Sequence, residues 1–111
     1  MISKKNKLTS ERLLSLKSGK PVKNVKNAYF SLKIFTSTGT NPRFSVIVST
    51  KVDKRSVVRN HIKRIIFGFL SAKLTEIPLY DYIFIVYPAA AKIDKEQLLR
   101  ELEITFLNPK P

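Results

Sequence analysis

A chain of 111 residues that is 43% hydrophobic is long enough for one core and too short for two, so a single domain over 1–111 is expected. Its 21 Lys and Arg against 8 acids give a formal charge of +13, more than solubility requires, which points to a polyanionic partner, nucleic acid first and an anionic membrane second. Cysteine is absent, excluding a disulfide framework, a thiolate metal site and a cysteine nucleophile.

The start, MISKKNKL, is basic and is followed by no apolar run of signal-peptide length, so residues 1–9 read as a flexible basic lead-in. No stretch approaches about 18 apolar residues, and the expected location is the cytoplasm. Ser10 is placed to cap a helix over 11–18, with Glu11 in its first turn and Gly19 as a left-handed stop. KPVKNVKN at 20–27 lacks a regular period and reads as a basic connection.

From 28 to 36 the chain alternates, with Phe30, Leu32 and Ile34 on one face and Tyr29, Ser31, Lys33 and Phe35 on the other. STGTNP is turn chemistry, and a second strand over 43–50 places Phe44, Val46 and Val48 together. The two strands are expected to form an antiparallel hairpin with a long loop. Within RSVVRNHIKRIIFGFL at 55–70, Val58, Ile62, Ile65, Ile66 and Phe69 fall on one arc of a helix. Arg59, Asn60, Lys63 and Arg64 fall opposite, in two rows of donors suited to phosphate oxygens.

Pro78 prevents that helix from continuing, and YDYIFIVY at 80–87 is apolar enough to be a central strand. Asp94 with Gln97 resembles a capping box for a last helix carrying Leu98, Leu99, Leu102 and Phe106, which Pro109 ends. The order is α-β-β-α-β-α, an α+β sandwich. One histidine cannot build a multi-histidine metal site, and no paired carboxylates, Gly-rich phosphate cradle or Ser/His/Asp set is apparent. Asp81, Glu76 and Glu11 look scattered.

Arg59-Asn60-x-x-Lys63-Arg64, opening a helix just after Val48-Ser49-x-Lys51, resembles the protein subunit of bacterial ribonuclease P. Phe30-x-Leu32, Arg43-Phe44-x-Val46-x-Val48-Ser49 and Asp81-Tyr82-x-x-Ile85-x-x-Pro88 follow in that family's order. The resemblance implies a ribosomal protein S5 domain 2-like sandwich with a left-handed β-α-β crossover. It implies an accessory role in an endoribonuclease that removes the 5′ leader of precursor tRNA, with chemistry carried by the catalytic RNA and Mg2+ held mainly by that RNA. No organic cofactor, membrane or obligate protein partner is expected.

On this resemblance, Lys51, Lys54, Arg55, Arg59, Asn60, His61, Lys63, Arg64 and Phe67 are the expected contacts to the catalytic RNA. Arg12, Leu16, Tyr29, Lys33 and Phe35 are expected to line the leader cleft. Several positions depart from the family. His61 stands where Arg is usual, making one charge titratable. Phe67 stands where a further Arg is common, either stacking on a base or simply exposed. The connection VDKRS is one residue longer than usual and lacks the family's glycine. A ribosomal or other structural RNA-binding protein is the alternative reading, and a stand-alone nuclease the least favoured.

Overall fold

The computed structural model describes residues 6–17, 19–37 and 39–107. Helix α1 (Ser10–Lys17) is followed by β1 (Lys23–Lys26), β2 (Phe30–Thr36), β3 (Arg43–Ile47), helix α2 (Ser56–Ala72), β4 (Tyr80–Val86) and helix α3 (Lys95–Leu107). Short 3-10 turns at Leu74–Glu76 and Pro88–Lys92 flank β4. The architecture is the expected α+β sandwich with one strand more than the sequence indicates.

The sheet runs β1-β2-β4-β3, and β4 is its centre. It pairs antiparallel with β2, Leu32 opposite Phe84, and parallel with β3, Val46 opposite Phe84. The expected β2–β3 hairpin is therefore not formed, because β4 lies between them. Its near-continuous apolar sequence is what a strand buried on both faces requires. The region expected to be an irregular basic connection supplies β1, whose Val25 sits opposite Leu32 while Asn24 and Lys26 fall on the other face. A four-residue edge strand with alternating exposure has too little apolar content to announce itself.

One face of the sheet packs against α2 and α3. Phe30, Leu32, Phe44, Val46, Tyr82 and Phe84 meet Ile62, Ile65, Ile66, Phe69 and Leu70 of α2 and Leu98 and Leu102 of α3. Aromatic rings join the layers: Phe44 stacks on Tyr82 at 5.2 Å, and Phe106 of α3 meets Tyr82 at 5.8 Å and Phe69 at 6.0 Å. Ile66, Leu70 and Leu102 have no exposed surface, and burial of each is worth about 1.5–3 kcal/mol. The opposite face carries a smaller cluster, Leu16 of α1 on Phe35 and Ile83, with Leu8, Leu13, Ile47 and Ile85 around it.

Local capping differs from expectation at the first helix and agrees at the last. The Arg12 amide donates to Thr9 Oγ1 at 3.2 Å, so Thr9 rather than Ser10 caps α1. Gly19 does not end the helix in the left-handed region, since no described residue has a positive φ. Its amide reaches the Leu16 carbonyl at 3.1 Å instead. At α3 the Gln97 amide donates to Asp94 Oδ1 at 2.9 Å, but the Gln97 side chain turns to the Tyr29 hydroxyl, so only half of the capping box forms.

Of the lead-in, residues 1–5 lie outside the described part. The segment that follows runs beside β3. Lys7 bridges Phe44 in parallel, the Leu8 amide donates to the Phe44 carbonyl at 2.9 Å, and Asn6 Nδ2 donates to the Pro42 carbonyl at 2.8 Å. Among the described residues no helix is long and apolar enough to cross a membrane.

Candidate nucleic-acid interface

Helix α2 begins with no side-chain cap from Arg55 and no acidic residue in its first turn, so no acid within the helix opposes an anion at the positive end of its dipole. Its packed arc is the expected one with Leu70 added. On the outward side Asn60, His61 and Arg64 are exposed and Lys63 is half-buried. Lys51, Lys54 and Arg55 are exposed on the turn that leads directly into the start of α2.

That turn is ordered without a glycine. Val52 is buried and anchors it to the core. The Lys51 amide donates to Ser49 Oγ at 3.3 Å and the Arg55 amide to Asp53 Oδ1 at 2.9 Å. Arg55 also grips Asp53 with both faces of its fork, Nε to Oδ1 at 3.1 Å and Nη2 to Oδ2 at 3.0 Å. The Arg55 side-chain and backbone hydrogen bonds hold the Asp53 carboxyl down at about 2. Arg55 is correspondingly raised by the same bond.

Besides Arg55, two residues of the expected interface have other engagements. Arg59 Nη1 donates to the carbonyls of Asp53 and Lys54, so its guanidinium latches the turn rather than projecting freely from the helix. Phe67 is neither an open platform nor simply exposed. It is half-buried, packs against the main core, and has Lys7 Nζ 5.6 Å above its ring.

The second expected surface lies on the other face of the sheet, under α1. Arg12, Leu16, Lys33 and Phe35 come together there. Leu16 and Phe35 are buried, and with Lys33, Pro21, Ile47 and Ile85 they line a hollow of about 100 Å³. Tyr29 is not part of this group. Asn27 Oδ1 accepts from the Tyr29 and Phe30 amides at 2.7 and 2.9 Å, so strand alternation starts only at Phe30. Tyr29 packs on the main core, and its hydroxyl accepts from Gln97 Nε2 at 2.8 Å.

Asp81 was not among the site residues expected from the sequence. Far from scattered, it is fully buried and accepts from two arginines: Arg12 Nε at 3.0 Å, and Arg43 Nε and Nη2 at 3.1 and 2.9 Å. The signal was an acid inside an apolar strand, since a buried carboxylate needs charged partners from elsewhere in the chain. No set of three or more histidine and acidic side chains is grouped for a metal among the described residues.

The ribonuclease P family model matches residues 2–109. The chain belongs to the ribonuclease P protein family. The ribonuclease P protein component of Cyanothece sp. is 41% identical over 63 residues, 56% of this chain and 48% of the relative. That of Xanthomonas oryzae is 40% identical over 68 residues, 60% of this chain and 47% of the relative. The matched part of the chain spans about half the length of these curated relatives. A Staphylococcus aureus ribonuclease P protein, a mutant described as defective in mRNA degradation, superposes with a TM-score of 0.80 at 25% identity over 95% of this chain and 87% of that one. The Thermotoga maritima ribonuclease P protein shares the fold, with a TM-score of 0.75 at 20% identity over 95% and 98%.

Proposed function

We propose that this chain is the protein subunit of a bacterial ribonuclease P, binding the catalytic RNA through the outward side of α2 and its preceding turn, and the 5′ leader of precursor tRNA in the cleft beneath α1. The observation that carries the reading is the family match over residues 2–109 together with the basic surface of Lys51, Lys54, Arg55, Lys63 and Arg64. In this account the RNA and its Mg2+ ions perform the hydrolysis, in the cytoplasm. The chain's own residues supply forked and point charges that lower the repulsion between two polyanions, and a walled groove for a single strand.

The test is the salt dependence of association with the cognate catalytic RNA. Several phosphate contacts require affinity to fall steeply, by roughly 0.7–0.9 logarithmic units per contact for each decade of salt. A flat salt response, or equal affinity for an unrelated ribosomal RNA, would favour a different RNA-binding role. Protein free of RNA is the control for any nuclease activity of the polypeptide, a control made pertinent by the mRNA degradation named for the Staphylococcus aureus protein.

A further inference from the structure

We infer that Asp81 is a positioning residue for the leader cleft, setting the height of α1 above the sheet through Arg12. This rests on the proposed function. Helix α1 has 8 residues, too few to be stable alone, so its place depends on what attaches it. Leu13 packs at the edge of the same cluster, and two further contacts among the described residues lie one turn apart on one side of the helix. Leu16 sits on Phe35 and Ile83. Arg12 donates to Asp81 Oδ2 and, through Nη2, to the Thr36 carbonyl at 3.0 Å.

Asp81 is itself fixed. It lies on the central strand opposite Phe35 of β2 and Arg43 of β3, and Arg43 forks onto both its oxygens. The carboxylate thus joins α1 and β3 to the central strand at one end of the cleft wall. Lys33 and the apolar floor of Ile47, Ile83 and Ile85 lie on the same sheet face toward the Leu16 end. A single strand entering there meets a gap whose width depends on both attachments.

Charge and geometry make opposite predictions, which is what makes the inference testable. Two guanidinium groups face one carboxylate, so Asp81→Asn would raise the local charge from +1 to +2. If Asp81 merely tempered that charge, its loss would tighten binding of a phosphate strand. If it positions α1, leader binding weakens in spite of the added charge.

The experiment uses holoenzyme reconstituted with the cognate catalytic RNA, and compares affinity for precursor tRNA bearing a leader with affinity for leaderless tRNA. The wild-type ratio tests the functional reading, and a ratio of one would overturn that reading and the inference with it. Given a wild-type preference, Asp81→Asn should reduce it on the order of tenfold. Affinity for catalytic RNA and for leaderless tRNA should be unchanged. Should Asp81→Asn fail to fold, Arg12→Lys serves instead, because it keeps the charge but cannot span Asp81 and the Thr36 carbonyl together. It should lose part of the preference. An unchanged or increased leader preference in either variant, or a parallel loss of all three affinities, overturns the positioning role while leaving the functional reading in place.

Discussion

Arg59 donates through Nη1 to the carbonyl oxygen of Lys54 at 2.8 Å, closing the turn that precedes its own helix. A side chain that the helical period places among the phosphate-facing donors thus also holds the backbone that presents Lys54 and Arg55. Lys63, one turn further on, has no ion pair among those described. The two residues should therefore separate on mutation. Arg59→Ala should cost about 1 kcal/mol of stability and lower Tm by several degrees while weakening catalytic-RNA binding. Lys63→Ala should leave Tm nearly unchanged and reduce the salt slope by about one contact. Thermal unfolding and salt-dependent binding of both variants check this.

The Asp53 carboxyl, held at about 2 by the Arg55 hydrogen bonds, gives the turn a pH signature. Its folded value lies below the ordinary 3.8, so the stabilisation it supplies is present above that value and is lost as pH falls toward 2. Carboxyl NMR titration should place its midpoint near 2 in the wild type, and Arg55→Gln should return it toward 3.8. A midpoint unmoved by Arg55→Gln would mean the fork does not form in solution.

Tyr82 is buried, and burial, helped by neighbouring Tyr80, pushes its phenol well above the ordinary 10.0. The neutral form is thus favoured by folding, and this contribution is fully present below that ordinary value and lost as pH rises beyond it. Its hydroxyl donates to the Pro78 carbonyl at 2.7 Å. Tyr82→Phe should cost about 1–2 kcal/mol in denaturant unfolding at neutral pH. With four tyrosines in the chain, it should also reduce the phenolate absorbance change on alkaline unfolding by one phenol's worth.

Lys7 over Phe67 links the segment before α1 to α2. A double-mutant cycle of Lys7→Ala and Phe67→Ala should give a coupling of about 0.5–1 kcal/mol. Phe67→Ala alone should cost more, about 1–3 kcal/mol, because the ring also packs on the core. Zero coupling would mean the contact has no energetic weight.

Elements with a strong period of their own were legible in the sequence. The arc of Ile62, Ile65, Ile66 and Phe69 and the continuous apolar run of β4 each state their burial locally. What escaped depends on partners distant in sequence. KNVK is a strand only because β2 offers it an edge, and the β2–β3 hairpin fails only because β4 enters between them. Tyr29 follows the Asn27 turn rather than the strand alternation. For the candidate interface, the sequence located the basic residues but not their engagements. It could not say that Arg59 folds back, that Lys7 covers Phe67, or that Asp81 gathers Arg12 and Arg43 across the sheet.

The most direct measurement is 5′-leader removal from precursor tRNA by the cognate catalytic RNA at low Mg2+, with and without this protein. Cleavage should be slow with RNA alone, accelerate on adding the protein, and accelerate less with Lys63→Ala. Cleavage at the same rate with and without the protein would contradict the proposed function.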